Sequence, residues 1–191
     1  MKICFATNNA HKLQEVQQIL GDRFQVISLK EAGFDGDIPE THETLEENSL
    51  EKAAYVFERI QLPVFSDDSG LEIEALNGKP GVHSAHYAGT RDATVNMQKV
   101  LDELQGITDR KGQFRAVITY CDGSQTEQFE GVIKGSLAEE VVGADGFGYD
   151  PIFIPEGHQH TFAEMSAELK NTMSHRKRAV EKLADFLHTL N

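Results

Sequence analysis

Four stretches of this 191-residue chain gather side chains whose types could hold a metal ion, an anion or an aromatic base. Ser66-Asp67-Asp68-Ser69-Gly70 sets two adjacent carboxylates at a strand end. Neighbouring residues of a strand point to opposite faces, so one aspartate faces a cleft while the other serves the fold. A turn closed by an Asx hydrogen bond is the purely structural alternative. Glu40 and Thr44-Leu45-Glu46-Glu47-Asn48 add acid just upstream. Hard carboxylate oxygens with no His/Cys ligand set nearby suit Mg²⁺, which keeps several waters and bridges to substrate phosphates.

Thr7-Asn8-Asn9-Ala10-His11-Lys12 lies between a predicted strand and a predicted helix. Free backbone N–H groups and the helix dipole favour an anion there, and Thr7, Asn9 and Lys12 add side-chain donors. A simple helix cap explains the same residues. The third stretch, Gly143 to Pro151, carries Phe147 and Asp150. An aromatic face can stack on a base and a carboxylate can accept from ring N–H groups, whereas Phe147, Tyr149 and Phe153 could equally pack into a core. Lys170 and Ser174-His175-Arg176 place further donors at the start of the last helix, where surface solvation is the plain alternative.

The elements that must position these groups alternate in an α/β manner. Lys2 to Ala6 reads as a buried strand, and Leu13, Val16, Ile19 and Leu20 follow a helical period that Gly21 stops. A second strand covers Gln25 to Leu29. Leu50, Ala53, Ala54 and Phe57 mark a helix starting near Glu46-Glu47, and Met97, Val100, Leu101 and Leu104 mark another. Pro63-Val64-Phe65 and Leu71 to Ala75 read as two strand pieces meeting at the acidic corner. Phe114 to Tyr120 and Thr126 to Ile133 flank Asp122-Gly123 as an antiparallel hairpin, so the sheet should be mixed. A short strand, Ile152 to Ile154, precedes a helical region from Phe162. Ser174 caps a last helix buried through Val180, Leu183, Phe186, Leu187 and Leu190.

Composition narrows the partners. The formal net charge is −13, and residues 31 to 74 carry thirteen acids against Lys52 and Arg59. That balance argues against broad binding to nucleic acid or anionic membranes, yet leaves room for a small anion held by a few cations. No apolar run approaches the roughly 18 residues of a membrane span, and the N-terminus turns polar at Thr7, so a cytoplasmic protein is expected. Cys4 and Cys121 lie in strand-like runs and read as buried small hydrophobes rather than a pair.

Taken in order from Thr7 to Arg176, these segments resemble the inosine triphosphate pyrophosphatase family. The most specific pieces are Phe65 to Leu71, Gly78-Lys79-Pro80-Gly81-Val82-His83-Ser84-Ala85, Gly146 to Phe153 and Ser174-His175-Arg176. The resemblance implies one α/β domain over residues 1–191, a long mixed sheet flanked by helices in two lobes about a nucleotide cleft, and a homodimer. It implies Mg²⁺-dependent hydrolysis of ITP, dITP and XTP to the monophosphate and pyrophosphate. Matched residue by residue, Thr7, Asn8, Asn9, Ala10, His11 and Lys12 would hold phosphate, and Glu40 and Asp68 the metal. Asp68 would also accept the attacking water's proton, Lys52 would neutralise phosphate, and Ser69 would touch substrate. Phe147, Gly148, Tyr149 and Asp150 would bind the base, with Lys170, His175 and Arg176 completing its pocket. Asn8 stands where the family more often has Gly, and His86 where Arg is common. Two readings stay open beside this one: a phosphohydrolase with Asp67 or Asp68 as nucleophile, and a nucleotide-binding protein without turnover.

Overall fold

A computed structural model describes residues 2–21 and 24–190. β1 (Lys2–Ala6) is followed by α1 (Ala10–Leu20), β2 (Gln25–Ile27), α2 (Leu45–Ile60), β3 (Val64–Ile73) and α3 (Ala93–Glu103). Next come β4 (Lys111–Cys121), β5 (Thr126–Leu137), β6 (Phe153–Pro155), α4 (Ala167–Met173) and α5 (His175–Thr189). The six strands form one sheet in the order β2-β1-β3-β4-β5-β6. β1 pairs in parallel with both β2 and β3, whereas β5 and β6 are antiparallel, so the sheet is mixed as expected.

By their internal contacts the residues group into two compact units. Unit 1 holds residues 1–68, 116–131 and 176–191, and unit 2 holds 69–115 and 132–175. In unit 1 the alternation along β1 explains its unbroken apolar run, because a strand covered on both faces has no polar side. Ile3 and Phe5 enter one cluster with Val16 and Leu20 of α1 and Val180, Leu183 and Leu187 of α5. Cys4 and Ala6 enter the other with Ala53 and Val56 of α2. Phe5 stacks on Phe65 across the β1–β3 pair at 4.5 Å. Cys4 and Cys121 are both buried and unbridged. In unit 2 the core gathers Leu71, Ile73, Met97, Val100 and Leu104 with the rings of Phe114, Phe153 and Phe162. No helix among the described residues is long and apolar enough to cross a membrane.

Several expectations change. The second strand ends at Ile27 rather than Leu29, because Glu31 accepts from both the backbone N and the Oγ of Ser28 (2.8 and 2.7 Å) and turns the chain. The acidic corner does not exist: β3 runs unbroken through Ser66 to Gly70, with β4 as a neighbour and its pairing to β1 ending at Ser66. Gly70 marks a close approach instead, since a Cβ there would lie 2.7 Å from the carbonyl carbon of Gly81. Ser84 of the Gly81–His86 turn fastens that approach by accepting from the backbone N of Leu71 at 2.9 Å.

The buried face of α2 is Leu45, Asn48, Ser49, Lys52, Ala53 and Val56, leaving Leu50 43% exposed. Polar groups that find partners inside thus displace the apolar stripe. Leu190 is likewise exposed, beyond the end of α5. Pro151 lies in a 3-10 turn over Asp150–Ile152, so the short strand begins at Phe153.

Candidate active site

In unit 1 the charged residues converge on β3. Lys52, on the inner face of α2, places Nζ 2.8 Å from Asp68 Oδ1, 2.7 Å from Glu40 Oε1 and 2.9 Å from the Asp67 carbonyl. α2 is started by Thr44, whose Oγ1 accepts from Glu47 N, and Glu46 and Glu47 occupy its positive end. Burial pushes the Lys52 ammonium down, but Asp68 and Glu40 outweigh it and raise its pKa. For Asp68 burial wins over Lys52 and Lys12, and the carboxyl titrates above its ordinary value. Its second oxygen, Oδ2, is buried with no hydrogen-bond partner among the described residues. Asp68 therefore has one oxygen fixed by a cation and one available to accept a proton.

Asp67 points the other way. Arg176 Nε donates to its Oδ2 at 2.7 Å while Lys12 Nζ stands 3.5 Å from the same oxygen. Arg176 also pairs with Glu15 of α1. Burial pushes the Asp67 carboxyl up, and Arg176 followed by Lys12 outweighs that, holding it well below the usual carboxylate range. Burial lowers the pKa of Lys12 despite Asp67.

Thr7 to Lys12 forms the entry to α1. Asn9 is its N-cap, and its side-chain oxygen accepts from the backbone N of His11 (3.0 Å) and Lys12 (3.2 Å). The capping alternative is therefore realised, and two of the N–H groups expected to be free are taken. Asn8, Asn9, Ala10 and His11 are exposed, with Thr7 partly so. Asn8 is not among the positive-φ residues, so this backbone makes no demand that glycine would answer better.

In unit 2 the base-motif residues form a second cluster. Asp150 Oδ2 accepts from the backbone N of Phe147 (2.8 Å) and from Lys170 Nζ (2.8 Å), and Lys170 lies 4.6 Å from the centre of the Phe147 ring. Asp150 thus shapes its own loop. Phe147 is half-exposed, whereas Tyr149 is buried and donates from its hydroxyl to the Ser84 carbonyl at 2.8 Å. Gly148 has a positive φ that permits the loop's reversal. His175 is buried and stacks on Phe114 at 4.9 Å. Ser69 is half-buried on β3. Arg176 is enclosed in unit 1 with the partners given above, and is 1% exposed. A groove of about 650 Å³ in unit 2, lined by Glu72, Lys111, Gln113, Lys134, Glu156 and His158 among others, shares no residue with either cluster.

Glu15 escaped the sequence reading. Its signal is an acid three residues after Lys12 and beside Val16, within the buried period of α1. The Asp67–Arg176 pair spans 109 residues, a separation no motif encodes.

A cluster of buried lysines and carboxylates on a central α/β strand, joined to a capped strand-to-helix turn, has the chemistry to handle phosphate groups. The Ham1 family model matches residues 3–186, and the chain belongs to that family. Among its relatives, a dITP/XTP pyrophosphatase of Porphyromonas gingivalis is 51% identical over 188 residues, covering 97% of each chain. One of Flavobacterium psychrophilum is 46% identical, covering 97% of this chain and 98% of its own. The Ham1 protein of Staphylococcus aureus superposes with a TM-score of 0.90 at 38% identity over the full length of both chains. The α/β class and the family resemblance drawn from the sequence agree with these matches.

Proposed function

We propose that the chain hydrolyses dITP, ITP and XTP to the monophosphate and pyrophosphate by water attack at the α-phosphorus. Its relatives named dITP/XTP pyrophosphatase support the reaction. The observation that carries the chemistry is Asp68, with Oδ1 held by Lys52 and Oδ2 buried without a partner. A carboxylate whose pKa is raised by burial is a better proton acceptor than one in water. Asp67 Oδ1 is likewise buried without a hydrogen-bond partner among the described residues, but Arg176 and Lys12 outweigh burial and hold this carboxyl well below the usual range, which suits it less to take a proton.

We read Mg²⁺ as the cofactor, with Glu40 and Asp68 as its protein ligands. Among the described residues no three His, Cys, Asp or Glu side chains gather to hold a metal alone. Two carboxylates that share the Lys52 ammonium, one of them with a buried oxygen lacking a hydrogen-bond partner among the described residues, suit an ion that takes its remaining ligands from water and phosphate. Bound there, Mg²⁺ would offset the charge that develops on the leaving pyrophosphate. The protein's own part is separable. Lys52 orients Asp68 and Glu40, Asp68 Oδ2 takes the water's proton, and Lys12, at the end of the Thr7 to His11 turn, neutralises phosphate.

Phe147, held over Lys170 by Asp150, supplies a face for the purine. A donor from His175 meeting O6 would favour hypoxanthine and xanthine, since adenine presents an amino group there and would leave buried groups unpaired. Family resemblance further supports a homodimer acting in the cytoplasm on a small-molecule substrate, and the −13 charge disfavours nucleic acid.

A panel of nucleoside triphosphates with and without Mg²⁺, scored separately for pyrophosphate and orthophosphate, tests the reading. Pyrophosphate from dITP and XTP, dependent on Mg²⁺ and far exceeding that from dATP, is expected. Orthophosphate as first product would overturn it. Sedimentation velocity checks the dimer.

A further inference from the structure

A chain of buried hydroxyls runs behind Lys52 and Asp68. Ser49, Ser66 and Thr119 are each fully buried. Gln128 Nε2 donates to Thr119 Oγ1 at 2.9 Å, and Thr119 Oγ1 donates to Ser49 Oγ at 2.8 Å. The Ser49 and Ser66 hydroxyls lie 2.8 Å apart, and Ser66 Oγ donates to the Ser49 carbonyl at 2.6 Å. A hydroxyl has one hydrogen to give. Ser66 gives its hydrogen to the carbonyl, so Ser49 is the donor between the two hydroxyls and the acceptor from Thr119. Every proton in the chain has one direction. The same Gln128 Nε2 donates to the Glu46 carbonyl at 2.9 Å, closing the chain on the first turn of α2.

The spacing ties this chain to the catalytic pair. Ser49 precedes Lys52 by three residues on α2, and Ser66 precedes Asp68 by two on β3, so each pair shares one face of its element. The Ser49–Ser66 and Lys52–Asp68 contacts, both 2.8 Å, are successive rungs between the same helix and the same strand. Apolar packing would fill these positions but is non-directional, whereas hydrogen bonds weaken steeply with misalignment. A flexible lysine keeps one geometry only if its backbone is held still.

We propose that Ser49, Ser66 and Thr119 are positioning residues that fix the register of α2 on β3 and thereby hold the Lys52 ammonium on Asp68 in the geometry turnover requires. This rests on the proposed role of Asp68 in dITP hydrolysis. A displacement of about 1 Å at a reacting group costs on the order of 10²-fold in rate, so loss of one rung has a measurable effect.

Thr119→Val removes the hydroxyl at nearly constant volume, while Thr119→Ser keeps the hydroxyl and sacrifices a methyl. Steady-state hydrolysis of dITP should show kcat about tenfold lower for Thr119→Val with KM within about twofold, and kcat for Thr119→Ser within about twofold of the parent. A purely structural role ranks them differently: both would melt earlier while the folded enzyme kept its kcat. Parental kcat in Thr119→Val, a rise in KM alone, or an equal kcat loss in Thr119→Ser overturns the proposal. Should Thr119→Val fail to fold, Gln128→Met at the exposed head of the chain replaces it, with a kcat loss of about threefold expected and an unchanged kcat overturning the idea. Parent protein inactive on dITP would bring down the assigned reaction and this proposal together. An active parent with indifferent variants removes the positioning role alone.

Discussion

Lys52 grips one oxygen of Asp68 at 2.8 Å and leaves the other without a hydrogen-bond partner among the described residues. The contact separates orientation from reactivity within one carboxyl group. Asp68→Asn retains an oxygen for Lys52 and so should keep the fold, but the amide takes no proton from water. We expect a kcat loss of about 10²- to 10⁴-fold at an unchanged melting temperature, read by pyrophosphate release from dITP and by thermal melting. Near-parental turnover would remove Asp68 from the role.

Asp67→Asn should behave differently. It leaves an oxygen for Arg176 but removes the negative charge that balances a guanidinium enclosed and 1% exposed. Breaking a buried ion pair from one side costs about 3 kcal/mol or more, and Glu15 compensates only in part. The urea midpoint at neutral pH should fall accordingly, with an unshifted midpoint counting against the pair.

Lys170→Met tests the base loop. Lys170 holds Asp150, and Asp150 holds the backbone of Phe147, so the substitution should loosen the purine face without touching Asp68. KM for dITP should rise about tenfold while kcat changes less, and preference for dITP over dATP should shrink. A fall in kcat alone would place Lys170 elsewhere in the reaction.

The turn between β4 and β5 predicts an acid dependence. Burial pushes the Asp122 carboxyl up, but hydrogen bonds from the Oγ and N of Ser124 and the N of Gln125 outweigh it and hold it well below the usual range. A carboxyl lowered by folding adds stability that is complete above its unfolded value, about 3.9. That stability drains away as pH falls toward the folded value. The gap in urea midpoint between parent and Asp122→Asn should therefore be narrower at pH 3 than at pH 7.

What the sequence disclosed follows from locality. β1 and α1 were legible because their apolar periods and the Gly21 stop are local signals. Ser-Asp-Asp-Ser-Gly carries equally local turn chemistry, yet the segment is a strand, because its place in the sheet beside β4 outweighs turn propensity. Leu50 was misplaced for a related reason: the apolar count marked one face of α2, while Ser49 and Lys52 claimed another through partners on β3. Residue types at the candidate site were visible, but not their pairing. Nothing near Arg176 points to Glu15, and nothing near Thr119 points to Ser49, 70 residues away.

The alternation along β3 has a consequence for large-scale mutagenesis. Asp67 and Asp68 are the same amino acid, joined by one peptide bond, with their carboxylates committed to Arg176 and to Lys52 respectively. In a library scored for both cellular abundance and nucleotide-pool protection, substitutions at Asp67 should deplete the protein itself. Asp68→Asn, which keeps an oxygen for Lys52, should leave normal amounts of an inert one.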